Sequence, residues 1–161
     1  MSRRIVGIAD LQTAGFGETL AAIGLGSCVA VAILDRVRRR GALSHVMLPQ
    51  QSFGRRRPDE NMHKYADVAV VAAIQALELV GCRRADMEAK IAGGSHMFDL
   101  GWGDQADIGT RNVEEVVRLL AEAGIPLVGS DVGGREGRTV EFIIDTGALI
   151  VKTVRGEKRN L

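Results

Sequence analysis

Apolar residues in this chain fall mostly into short runs punctuated by glycine and polar clusters, with two longer stretches at helical spacing. Arg3 to Ala9 and Leu20 to Leu25 are short, apolar and close to glycine, which predicts strands. Cys28 to Leu34 (Cys-Val-Ala-Val-Ala-Ile-Leu) and Ala42 to Leu48 (Ala-Leu-Ser-His-Val-Met-Leu) read as two further strands. The polar segment Asp35 to Gly41 between them predicts a hairpin. Pro49 to Asp59 has the composition of a surface loop. After it, the spacing of Val68, Val71, Ala72, Ile74, Leu77 and Leu79 predicts a buried helix over about Asn61 to Val80, stopped by Gly81. Glu88 to Ala92 is a strand candidate, followed by irregular, glycine-rich chain at Gly93-Gly94 and Gly101 to Asp104. A second helix, from Thr110 or Asn112 to Ala123, carries Val113, Val116, Val117 and Leu120 on one stripe and ends at Gly124. Leu127 to Ser130, Thr139 to Ile144 and Leu149 to Val154 complete the pattern as strands. Strands mixed with two long helices, with hairpin-like neighbours and no linker or repeat, predict one layered α/β domain over residues 1–161, its mixed sheets flanked by helices.

Composition narrows the classes of function. The chain has 161 residues, enough to bury a core without metals or disulfides. With only 4% aromatic residues, that core is aliphatic. A net charge of +1 removes the global attraction that concentrates proteins on nucleic acid. The basic runs Arg36 to Arg40 and Arg55 to Arg57 lack interleaved aromatics and read as solvated loops. Asp10 and Gln12 cut the first apolar stretch below signal-peptide length, and Gln75 and Glu78 interrupt the longest one. A cytoplasmic protein with two reduced thiols is expected.

The hairpin brings chemistry into view. Residues opposite one another in an antiparallel pair have numbers with a constant sum and share a face of the sheet. A turn centred between Arg36 and Val37 gives a sum of 73, which sets Cys28 opposite His45. A neighbouring imidazole can take the thiol proton and later return it to a leaving group, so the pair has the parts of a nucleophile and its base. Gly24-Leu25-Gly26-Ser27 offers unhindered peptide N–H groups for the oxyanion of a tetrahedral intermediate. Against this stands the plain alternative that Cys28 is a small buried hydrophobe. Gly24-x-Gly26 is no dinucleotide fingerprint, because Val29 holds the third glycine position. Cys28, His45, His63, Cys82 and His96 lack the close pairing of zinc ligands, so neither metal nor other cofactor is expected.

Gly24 to Val31 together with Ser44-His45-Val46-Met47-Leu48-Pro49 closely resembles the signature of the CheD family. Lys64 to Asp67, Ala89 to Gly94 with Met97-Phe98, Ile108 to Asn112, and Asp131 to Gly134 with Arg138 extend the resemblance over nearly the whole chain. The resemblance implies a chemotaxis enzyme that deamidates glutamines on methyl-accepting receptors, a fold of the deamidase-toxin type and, in some members, binding to the CheC phosphatase. It also implies that Cys28 is the nucleophile and His45 the base. One departure stands out: the family has a threonine six residues before the cysteine, completing a triad, where this chain has Ala22. Thr19, three residues away on a strand, would face the other side. The departure motivates the alternative of a regulator that binds receptors or CheC with weak or no deamidase activity.

Overall fold

A computed structural model describes residues 2–52, 60–96 and 107–161. Its strands are β1 (Ser2–Ile5), β2 (Leu11–Ala14), β3 (Glu18–Leu25), β4 (Val29–Asp35), β5 (Arg40–Val46), β6 (Met87–Gly93), β7 (Leu127–Val132), β8 (Arg138–Ile143), β9 (Ala148–Thr153) and β10 (Lys158–Asn160). The helices are α1 (Ala66–Leu79) and α2 (Ile108–Glu122). One sheet has the order β1-β3-β8-β9-β10 and the other β2-β5-β4-β6-β7. Each mixes antiparallel ladders with one parallel pair, β1 with β3 and β6 with β7.

The sheets pack face to face, and both helices cover the far side of the second sheet. β4 therefore has no wet face. Ala30, Ala32 and Leu34 point into the core between the sheets with Ala22, Leu25, Val140 and Phe142. Val29, Val31 and Ile33 point the other way, against Ala73, Ile74 and Leu77 of α1 and Val116 and Leu120 of α2. A strand buried on both sides reads as an unbroken apolar run, which is why β4 shows no alternation. On the outer face of the first sheet, Ile5 and Ile23 are exposed, so the helices flank one side of the sandwich only.

The expected strand Arg3 to Ala9 is two pieces of structure. β1 ends at Ile5, and the segment 6–10 crosses to the second sheet, turning at Ala9, whose φ is 66°. β2 then pairs with β5. The expected helix from Asn61 begins as a single 3-10 turn, Met62–Lys64, capped by the Asn61 side chain on the His63 N–H, and breaks at extended Tyr65 before α1. Residues 53–59 and 97–106, including Arg55 to Arg57, Met97-Phe98 and Gly101 to Asp104, lie outside the described residues. Of the run Arg36 to Arg40, residues 36–39 form the β4–β5 turn and Arg40 begins β5; in the turn Arg38 pairs with Asp35 and Asp86 at 3.0 and 2.9 Å.

That turn corrects the expected register. Opposed residues of β4 and β5 add to 75, with Ala30 opposite His45 and Val29 opposite Val46. The cause is Asp35, whose buried carboxylate accepts the Val37 and Arg38 N–H groups, both at 2.9 Å, and the Arg83 N–H at 3.1 Å. This side-chain clamp centres the turn one residue later than expected. The shift in pairing is two residues, so faces are preserved where a slip of one would have reversed them.

Candidate functional site

Cys28 lies immediately before β4 and packs, partly exposed, against the core between the sheets. His45 faces the same core from β5 and is 1% exposed. The two are diagonal neighbours across the hairpin rather than directly opposed. Such a diagonal spans about 7–8 Å between backbones, within reach of a thiol and an imidazole leaning toward each other.

His45 is gripped by the segment that crosses between sheets. Its N–H donates to the Asp10 carbonyl and its C=O accepts from the Ala9 N–H, each at 3.0 Å. Its ring Nδ1 lies 3.2 Å from the Val6 carbonyl oxygen. A carbonyl only accepts, so Nδ1 carries the proton and Nε2 keeps its lone pair. Nε2 is buried and, among the described residues, has no hydrogen-bond partner, the Cys28 thiol included. Burial pulls the imidazole below its ordinary pKa of 6.5, partly opposed by the Val6 carbonyl and by Asp10. Burial pushes the Cys28 thiol above its ordinary 9.0, partly opposed by its own backbone N–H. At neutral pH these directions leave Cys28 a thiol and His45 a neutral imidazole, not a thiolate–imidazolium pair.

The backbone around Cys28 is fixed by three consecutive carbonyls. The Gly26 oxygen accepts from the Ser95 N–H at 2.9 Å, the Ser27 oxygen from the Asn112 side chain at 2.9 Å, and the Cys28 oxygen from the Gly94 N–H at 2.8 Å. Among the described residues, the N–H groups of Gly26 and Ser27 meet no acceptor, and the Cys28 N–H faces only its own sulfur. Donors left open beside a nucleophile can hold an oxyanion. Close approach by glycine makes this packing feasible. A Cβ on Gly93 would stand 2.3 Å from the Cys28 oxygen, and one on Gly109 would stand 2.5 Å from the Ser95 oxygen. Arg138, 6% exposed, braces the same corner: its guanidinium donates to the Gly93 oxygen at 2.7 Å and to the Gly133 oxygen. Its Nε stands 3.3 Å from Asp131, close enough for an ion pair but too poorly aligned for a hydrogen bond.

Other candidates stay apart. Ala22 is fully buried between the sheets, offering a methyl group where a hydroxyl was expected. Thr19 belongs to the opposite face of β3, as the strand period requires. Cys82 is buried in the other core, between sheet and helices. His63 is half-buried in the 3-10 turn, and His96 donates its N–H to the Gly134 oxygen at 2.7 Å. Among the described residues no three His, Cys, Asp or Glu side chains gather as a metal site, and no helix is long and apolar enough to cross a membrane. Sequence reasoning missed the Val6 carbonyl, since a backbone acceptor on a crossover leaves no side-chain signal. It noted Asn112 only as part of a motif.

The family model described as "CheD chemotactic sensory transduction" matches residues 47–153. A protein of Halalkalibacterium halodurans named chemoreceptor glutamine deamidase CheD is 42% identical over 155 residues, covering 95% of each chain. One of Symbiobacterium thermophilum named probable chemoreceptor glutamine deamidase CheD is 46% identical over 155 residues, covering 94% of this chain and 93% of its own. Among solved structures, the Neisseria meningitidis protein NMB0706 overlaps 78% of this chain and 52% of its own at 16% identity and a TM-score of 0.45, too distant to bear on function.

Proposed function

Since this chain belongs to the CheD family, we propose that it deamidates glutamine side chains of chemoreceptors through a thioester on Cys28, with His45 as base and then acid. The observation that carries the mechanism is the 3.2 Å contact of His45 Nδ1 with the Val6 carbonyl oxygen, which assigns the proton to Nδ1 and leaves a bare Nε2 on the sheet face that Cys28 also occupies. Nε2 takes the thiol proton as sulfur attacks the carboxamide carbon. The oxyanion that forms is held by the open N–H groups of Gly26 and Ser27. As the C–N bond breaks, His45 returns the proton to the departing ammonia. Water, deprotonated by the same nitrogen, then cleaves the thioester to glutamate and restores the thiol. The Val6 carbonyl supplies the orienting contact that Ala22 cannot.

Incubation with receptor cytoplasmic fragments, followed by mass-spectrometric mapping of Gln-to-Glu conversion, tests this reading. Conversion at discrete glutamines is expected. Tight binding with no product under any condition would replace the enzyme by a binding regulator.

The pH dependence has a definite sign. A neutral thiol and neutral imidazole stay competent until His45 is protonated, which burial delays to below the usual imidazole range. On the alkaline side they persist until the thiol ionises, which burial delays to above its usual range. A kcat/KM profile is therefore expected to show a broad plateau across neutrality. An acid limb above the ordinary imidazole value would contradict the assigned resting state.

A further inference from the structure

Asn112 belongs to α2, an element that supplies neither of the two reacting groups. Its side chain is completely buried, yet it reaches both halves of the site. The single amide nitrogen donates to the Ser27 carbonyl at 2.9 Å and to the Met47 carbonyl at 3.0 Å. Ser27 immediately precedes the nucleophile, and Met47 lies two residues beyond His45, just past the end of β5. Both neighbours are acceptors, so only the nitrogen, and not the oxygen, can face them. The two hydrogens of one rigid, planar amide thus span the point where β4 begins and β5 ends.

The remaining atom sharpens the point. Asn112 Oδ1 is buried and, among the described residues, has no hydrogen-bond partner. Beyond Val29 and Val46 the β4–β5 ladder has ended, so ladder hydrogen bonds no longer fix the spacing of the two strands there. Cys28 sits in this unladdered stretch.

We infer that Asn112 is a positioning residue for the deamidation, clamping the Ser27 and Met47 carbonyls so that the thiol and the bare imidazole nitrogen keep a reactive diagonal. The inference rests on the Cys28–His45 reading. A displacement of about 1 Å at a reacting pair can cost about a hundredfold in rate without touching substrate contacts. Loss of the clamp therefore lowers kcat and spares KM. It also admits water to the pair, returning His45 toward ordinary imidazole behaviour.

The test compares full-length wild type with Asn112→Ala and Asn112→Asp on receptor cytoplasmic fragments, measuring kcat, KM and the pH profile, with circular dichroism to confirm folding. Both variants are expected to lose about 10- to 100-fold in kcat with KM within about twofold, and to shift the acid limb of kcat/KM upward. Asn112→Asp keeps the shape but removes the donor, so it is expected to be no better than alanine. Should those variants fail to fold, Asn112→Gln, which keeps the amide but displaces it by one methylene, carries the test on the same readouts. A folded Asn112 variant with wild-type kcat, or one whose loss tracks only the unfolded fraction with the acid limb unmoved, overturns the inference. If wild type itself makes no glutamate, the Cys28–His45 reading falls and takes this inference with it; an active wild type indifferent to Asn112 removes the inference alone.

Discussion

Cys28→Ala is expected to abolish deamidation, with a loss on the order of 10⁶ in kcat, while receptor fragments still bind. The size follows from the covalent route. Without the thiol no thioester forms, and only the open N–H groups and the imidazole remain to assist water. The other cysteine cannot substitute. Cys82 is buried between the second sheet and the helices, on the far side of β4 from the reacting face. The loss is also separable from misfolding, because Cys28 is a small side chain at a strand entrance and its removal leaves only a minor gap in an alanine-rich core. Single-turnover mass spectrometry on receptor fragments provides the measurement. Product formation by Cys28→Ala at the wild-type rate would exclude the thioester mechanism, whereas unchanged binding with no product separates chemistry from recognition.

Much of this arrangement was legible in the sequence, for reasons that particular residues make plain. The pair Cys28 and His45 stood out because two strand-like runs flanked a short polar segment, and the period of two fixed their common face. Their register was not legible. It depends on Asp35 reaching back to the Val37 and Arg38 N–H groups, and an aspartate opening a turn admits several turn centres until its acceptors are seen. The even shift of two residues kept both residues on one face, although the expected direct opposition is a diagonal. β2 was missed because Leu11-Gln12-Thr13-Ala14 is short and half-polar, an edge strand defined by its partner β5 rather than by its own pattern. β10, Lys158–Asn160, is fully exposed and carries no apolar signal. The orienting contact on His45 was invisible for a different reason. Ala22 suggested that the triad lacked its third member, but a main-chain oxygen on the crossover from β1 to β2 meets Nδ1 instead.

The crossover also accounts for the tautomer that the proposed mechanism requires of so buried an imidazole. A hydroxyl can donate as well as accept, so it fixes a histidine only through its own further partners. A carbonyl has one role. The Val6 oxygen therefore enforces Nδ1–H without help, and the Ala9 and Asp10 backbone bonds hold the residue that carries the ring. On the proposed mechanism, an alanine at position 22 then costs a second polar contact but not the proton arrangement that mechanism needs.

Gly93→Ala is expected to be the most damaging substitution outside the reacting pair, lowering stability by about 2–5 kcal/mol and activity with it. Gly93 ends β6 with φ at 110°, a region that residues bearing a Cβ rarely enter. The added methyl would meet the Cys28 carbonyl oxygen at 2.3 Å and the Val29 Cα at 3.4 Å. Neither neighbour can yield cheaply. The Cys28 carbonyl is held by the Gly94 N–H, and Val29 begins a strand paired on both sides. Gly93 cannot retreat either, because its own oxygen accepts from Arg138 and from the Gly133 N–H. Relief must come from moving Cys28, so stability and catalysis are expected to fall together. For a chain of this size the change corresponds to a drop of roughly 10 °C in Tm, readable by thermal or urea unfolding. Gly7→Ala serves as the control: a Cβ there meets nothing within 4 Å and φ is not in the strained range. A Gly93→Ala protein with wild-type Tm and wild-type conversion would show that the corner around Cys28 is looser than its backbone hydrogen bonds require.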